Sequence, residues 1–225
     1  MRILHHWPLD PFSREVRLAL AEKGLDFDLR LEKPWSAPDS ILSINPAGTT
    51  PVLIDDLNGS RIAVCEAGPV LEYLEEAYPD PALMPKSPAE RAEMRRLVSW
   101  FDRKYDGEVN AYLLHEKLEK RAQGLGAPDP AMLRLGREHL RGHLDYLSGL
   151  LEARDGLAGP RYTYADLVAA AHLSCADYLG DVPWDEFEPA RTWYARVKCR
   201  PAFRGLLADR LPGLEPASHY ADLDF

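Results

Sequence analysis

Positive charge is in short supply: 27 Lys and Arg stand against 36 Asp and Glu, a formal charge of −9 with histidine neutral. Proteins that bind nucleic acid draw most of their affinity from phosphate neutralisation along a basic stripe. None occurs here, so nucleic acid is not an expected partner. Cysteine is scarce as well. Cys65, Cys175 and Cys199 are odd in number, widely spaced and free of CxxC spacing. That argues against a disulfide framework and a zinc site and fits a reducing cytosol. No apolar run approaches the roughly 18 residues that cross a bilayer, so membrane insertion is not expected. The chain enters its first strand without the apolar stretch of a secretory leader, which points to a cytoplasmic location. Internal repeats and low-complexity tracts are also missing.

What is present is an ordinary globular composition, 46% apolar and 28% charged over 225 residues, enough for one large or two small domains with cores of their own. The first 80 residues alternate strand and helix signals. Arg2 to His6 reads as a strand, followed by a proline-punctuated turn and a helix over Ser13–Lys23 that stops at Gly24. Phe27, Leu29 and Leu31 alternate with Asp28 and Arg30, the period of a half-buried strand. Lys33 to Pro46 is punctuated by prolines and reads as irregular. Val52, Leu53 and Ile54 form a buried strand, Asn58-Gly59 is a hairpin turn, and Arg61 to Val64 returns. Glu66 to Tyr78 reads as a helix entered through Gly68-Pro69.

YPDPALMPKSP carries four prolines in eleven residues, the composition of a linker. Beyond it only helical spacing remains. Leu97, Trp100, Phe101, Tyr105, Val109, Tyr112 and Leu113 mark a helix over Ala89–Arg121, a second runs over Ala131–Ala153, and Thr163 with Asp166 opens an apolar helix through a capping box. Shorter helices over Pro189–Lys198 and Pro201–Asp209 precede a tail that mixes acids with apolar residues. The expected organisation is an α/β domain over 1–80, a linker over 81–88, an all-α domain over 89–210 and an extended tail over 211–225.

In this order and spacing, SREVRLALAEKG, NPAGTTPVLI, CEAGPVLEYLEEAYP, the proline linker, TYADLVAAAHL and WYARVKCRPAF resemble the glutathione transferase superfamily over nearly the whole chain. The resemblance implies a thioredoxin-like N-terminal domain, an all-α C-terminal domain, a homodimer, and a glutathione cleft between the domain types. It also implies that Thr50-Pro51 is the cis-proline turn whose backbone pairs with the cysteinyl unit of glutathione. Glu66 and Ala67 match the Glu-Ser pair that holds its γ-glutamyl end.

The chain departs from this pattern at two places. Asp10 stands where related members place the serine or cysteine that donates a hydrogen bond to the glutathione thiolate. An ionised aspartate only accepts, and its charge raises the pKa of a neighbouring thiol. Ala67 removes a hydroxyl whose bond to a carboxylate contributes about 1.5–3 kcal/mol, or one to two decades of affinity. Thr50, Pro51, Glu66 and Ala67 are therefore expected to form a vestigial site with room for weak glutathione binding. No cofactor is expected, and no catalytic residue.

Other readings stay open. Asp10 either serves another acid–base reaction or starts the turn before the first helix. Ser13 is a substitute donor or a first-turn cap; His5 or His6 takes a thiol proton or merely ends a strand. Trp35 either anchors a protein partner or packs as a lid. Cys65, with nothing basic beside it, reads as inert. The tail adds Tyr220, Asp222, Leu223, Asp224 and Phe225 as candidate partner contacts. With Asp10 and Ala67, it resembles one divergent bacterial branch of the superfamily. That resemblance implies a non-enzymatic protein that binds FtsZ polymers and shapes them at the site of constriction. The rival expectation is a working glutathione transferase or thiol-exchange enzyme.

Overall fold

The computed structural model describes residues 1–36 and 38–223, and the chain divides into two compact units, Met1–Leu83 and Met84–Phe225.

In the first unit β1 (Arg2–His6), β2 (Phe27–Leu31), β3 (Val52–Leu57) and β4 (Ser60–Cys65) form one mixed sheet in the order β2-β1-β3-β4. β1 runs parallel to β2 and antiparallel to β3, and β3 and β4 form the hairpin turned at Asn58-Gly59. α1 (Pro11–Glu22) connects the parallel pair, and α3 (Ala67–Ala77) packs against it. The core is made by Leu4, Val16, Leu20, Val52, Leu53, Val70 and Leu74, all buried. Lys23 closes the unit: its buried ammonium donates to Glu75 at 2.9 Å and to the carbonyls of Tyr78 and Pro81. On β3, the buried Asp55 accepts from Tyr73, at 2.9 Å, and Tyr78, at 2.7 Å, and pairs with Arg2.

Several expectations are revised here. α1 starts at Pro11, because Asp10 caps it and proline suits the first helical position. α3 starts at Ala67, leaving Glu66 outside with φ 71°. The stretch read as irregular holds a 3-10 turn at Pro34–Ser36 and a short α2 (Asp39–Leu42). β2 alternates in sequence but not in burial, since every residue from Asp28 to Leu31 is exposed. An edge strand has a neighbour on one side only, so the period survives while the cover does not.

The second unit is helical. A continuous rod runs from α4 (Pro88–Ser99) through a π-wound stretch (Trp100–Asn110), α5 (Ala111–Leu114), a second π stretch (His115–Glu119) and α6 (Lys120–Gln123). It packs on α7 (Pro130–Leu151) and α8 (Tyr164–Tyr178); α9 (Glu188–Lys198) lies against both α7 and α8, and the short α10 (Arg204–Leu207) follows. Every residue of α8 is buried. Its polar groups are therefore all matched to partners or costly. Asp166 completes the capping box with Thr163 and accepts from Leu157 N and Trp193 Nε1, each at 2.9 Å. Asp177 accepts from Trp184 Nε1 at 2.8 Å, Tyr194 Oη at 3.1 Å and His219 at 2.9 Å. Among the described residues no helix is long and apolar enough to cross a membrane.

Candidate functional site

The turn between β1 and α1 is built around one carboxylate. Asp10 has extended backbone and caps α1 by accepting from Ser13 N at 3.2 Å. The same oxygen, Oδ2, accepts from Ser13 Oγ at 2.5 Å and from Thr50 Oγ1 at 3.0 Å. Three donors converge on it, one of them from the turn that precedes β3. Burial pushes the Asp10 pKa up to about 6, against the pull of the hydroxyls of Ser13 and Thr50 and the backbone N–H groups of Ser13 and Phe12. At neutral pH the group remains mostly ionised and accepts from the protein itself.

Ser13 is fully buried. Its hydroxyl donates to Asp10 and accepts from Trp7 N at 3.3 Å, so it is engaged in the cap. His5 Nδ1 lies 2.8 Å from Glu32 Oε1, tying β1 to the end of β2. Cys65 is held above the usual thiol range by burial and by the Glu66 carboxylate, in keeping with an inert thiol.

Across from Asp10 the Thr50-Pro51 peptide is cis, and Pro51 O accepts from Glu66 N at 3.1 Å. Glu66 adopts the left-handed region, φ 71° and ψ 145°, which is strained for a non-glycine residue and concentrates at functional turns. Its side chain is exposed, yet Oε1 accepts from Thr49 Oγ1 and from Asn45 Nδ2. Ala67 is buried at the start of α3, whose N-terminus carries no side-chain cap. The unsatisfied N–H groups there still favour a negative ligand end. Thr50, Pro51, Glu66 and Ala67 are thus brought together with Asp10 through the Thr50 hydroxyl, a link that sequence reading missed. The signal was a hydroxyl residue directly before the cis-proline.

Trp35 is half-buried and meets Trp7 edge to face, with ring centroids 5.0 Å apart. It packs on its own unit and keeps part of its surface open. In the tail, the expectation for Tyr220 has to be corrected. Tyr220 is fully buried, packs edge-on to Tyr178 and donates to Leu206 O at 3.1 Å. It anchors the tail and offers no surface to a partner. His219 beside it binds Asp177, and Ala217 N donates to Tyr178 O at 2.9 Å. Asp222 is exposed, and so is Leu223 at 41%. Asp224 and Phe225 lie outside the described residues.

A thioredoxin-like sheet with a cis-proline turn facing the α1 N-terminus, followed by an all-α unit, defines the glutathione transferase fold. Residues 4–82 match the family model described as the N-terminal domain of glutathione S-transferase. Over 224 residues the chain is 56% identical to FtsZ-localized protein A of Caulobacter vibrioides, covering all of this chain and 98% of that protein. The solved structure of FzlA from C. crescentus superposes with a TM-score of 0.97, covering 100% of this chain and 99% of that one. A structure described as a glutathione S-transferase from Rhodospirillum rubrum, 48% identical, superposes at 0.96 with full coverage of both chains. The chain therefore belongs to the glutathione transferase superfamily, in the group that includes FtsZ-localized protein A.

Proposed function

We propose that this chain is a non-enzymatic cytoplasmic protein of glutathione transferase fold that binds FtsZ polymers and regulates bacterial constriction, recruited to the division site. The observation that carries the loss of chemistry is the convergence of Ser13 and Thr50 on Asp10 Oδ2. Thiolate formation needs a donor aimed at sulfur. Here the side chain at that position is an acceptor, and its partners are internal. The likeness to FtsZ-localized protein A over the full chain supports the choice of partner.

On this reading glutathione is at most a weak ligand of the Thr50, Pro51, Glu66 and Ala67 turn, and no cofactor is used. The chain acts as a homodimer, whose two copies of a partner site bridge or bend filaments through raised effective concentration. Trp35 in the first unit and, in the second, the exposed tail residues Asp222 and Leu223, followed in sequence by Asp224 and Phe225, each take part in partner contacts. The rival reading, an active transferase, has to recruit a donor, and Ser13 and Cys65 are poorly placed for it by burial, existing bonds and a raised pKa.

Cosedimentation with GTP-assembled FtsZ tests the proposal. The full chain is expected in the pellet, and Trp35→Ala and Leu223→Asp are expected to reduce it. A full chain that stays in the supernatant would overturn the division role. Glutathione transfer to a generic electrophile at an ordinary enzymatic rate would overturn the loss of chemistry.

A further inference from the structure

Asp177 lies in the last turn of α8 with no exposed side-chain surface. A carboxylate buried this way keeps its charge only with partners around it. Besides the donors already named, the equally buried ammonium of Lys198 on α9 approaches it at 3.6 Å, so these two charges balance. His219 comes to the same carboxylate from the tail, and its surroundings differ. Its side chain is 33% exposed. It lines an open cavity of about 370 Å³ with Val182, Pro183, Trp184, Asp185 and Glu186. Solvent protons therefore reach the ring while Nε2 stays 2.9 Å from Asp177 Oδ1.

The same residue fixes the end of the described tail. Its carbonyl accepts from Asp222 N at 3.0 Å and from Lys198 Nζ at 3.4 Å. On either side of it, Ala217 N donates to Tyr178 O and Tyr220 Oη to Leu206 O, bonds between groups that do not titrate near neutrality. His219 thus sets the turn that carries Asp222 and Leu223, the exposed residues assigned above to partner contact.

We propose that His219 is a positioning residue for the tail: protonated, it latches the turn over 217–223 to the Asp177–Lys198 pair, and neutral, it loosens that turn and weakens partner binding. The effect on binding rests on the reading of the tail as a partner contact; the latch does not.

The charges around the ring favour the proton. The bond to Asp177 on α8 draws it on, and Asp222 in the tail adds to this; partial burial and Lys198 on α9 oppose it. Asp185 and Glu186 across the cavity are already paired, with Arg191 of α9 and Arg141 of α7. The outcome is a histidine that titrates above its ordinary 6.5. Docking gains from the proton in full below 6.5 and loses that gain as pH rises through the docked value. A neutral ring still donates from Nε2, but a bond from a charged donor is about twice as strong. Loss of the proton therefore loosens the turn without releasing it.

A dye that does not titrate, tetramethylrhodamine on Leu223→Cys in a Cys199→Ser chain, tests the latch. Its anisotropy is expected to fall between pH 6 and pH 8, with a midpoint above 6.5 that coincides with the His219 titration followed by NMR. His219→Gln keeps a donor and removes the titration, so its profile is expected to stay flat. Lys198→Met removes the opposing charge and is expected to move the midpoint up by at least about half a pH unit. A merely structural lysine would lower the anisotropy at every pH and leave the midpoint in place. Circular dichroism checks that each variant is folded, and His219→Gln alone decides the matter if Lys198→Met is not. A flat profile in the native chain, or an equal fall in His219→Gln, would overturn the latch. Cosedimentation of the unlabelled chain with GTP-assembled FtsZ at pH 6.5 and pH 8, at equal pelleted FtsZ, reads the consequence. Binding is expected to drop at least about threefold at the higher pH, and to change less in His219→Gln. Equal pelleting at both values would overturn the coupling to binding. An anisotropy change with no pelleting at either pH would leave the latch standing and refute the choice of partner.

Discussion

Thr50 Oγ1 donates to Asp10 Oδ2 at 3.0 Å across 40 positions of sequence, fastening the cis-proline turn to the cap of α1. The bond joins the two halves of what would be a glutathione thiol site, and it spends the Asp10 carboxylate on the scaffold.

Because burial raises the Asp10 pKa from 3.8 to about 6, the folded state takes up a proton before the unfolded chain does. The charged carboxylate costs stability above pH 6, and that cost fades as pH falls from 6 toward 4. Between pH 7 and pH 5 this group should add about 1 kcal/mol of stability. Urea unfolding at the two pH values is expected to show the gain in the native chain and its loss in Asp10→Asn. An equal pH response in both proteins would refute it.

Asp10→Ser with Ala67→Ser should raise glutathione affinity. The added bond to the γ-glutamyl carboxylate is worth about 1.5–3 kcal/mol, so a gain of ten- to a hundredfold is expected by titration calorimetry. No gain would mean that the turn differs from a glutathione site by more than these two side chains.

Tyr220→Ala should cost about 3–5 kcal/mol, as for other large buried aromatics, since its ring sits on Tyr178 with no exposed surface. A chemical-denaturation midpoint reads this, and a loss under 1 kcal/mol would contradict the anchoring role. By the same logic a chain cut after Pro216 reports on stability as well as on partner binding.

His219 titrates above its ordinary range because it bonds to Asp177. The stabilisation of a raised histidine is complete below its unfolded pKa, near 6.5, and is lost as pH rises through the folded value. Amide exchange at Tyr220 and Asp222 should therefore quicken on going from pH 6 to pH 8 after correction for intrinsic rates. His219→Gln should flatten that response.

Gly136 on α7 tests the packing of the helical unit. A Cβ there would lie 2.9 Å from Tyr112 Cβ and 3.0 Å from Leu113 Cδ2. Gly136→Ala should destabilise by about 1–3 kcal/mol through overpacking, despite the better helix propensity of alanine. An unchanged or higher melting temperature would show that the helices separate at little cost.

Much of this was legible along the chain. The strand after Met1, the stop at Gly24, the Asn58-Gly59 hairpin and the Thr163–Asp166 capping box are local signals, each fixed by residues within a few positions of one another. That Asp10 starts the turn before α1 was readable for the same reason, whereas its capping of a helix that begins at Pro11, two residues ahead of the expected Ser13, was not. Asp177 was not. It lies in an apolar run, and its partners Trp184, Tyr194 and His219 carry no common spacing that would announce a shared acceptor. The burial of Tyr220 was hidden likewise, because an aromatic among acids looks the same whether it seats in a core or meets solvent.

By itself the sequence determined the order of elements, the acidic residue in the first turn and the missing hydroxyl at Ala67, all properties of neighbours in the chain. Only the tertiary structure decided that Asp10 bonds to Thr50, that Tyr220 is interior and that β2 stands uncovered. Each depends on which distant segment the fold brings alongside, and burial and hydrogen-bond pairing are settled by that neighbour rather than by the residue alone.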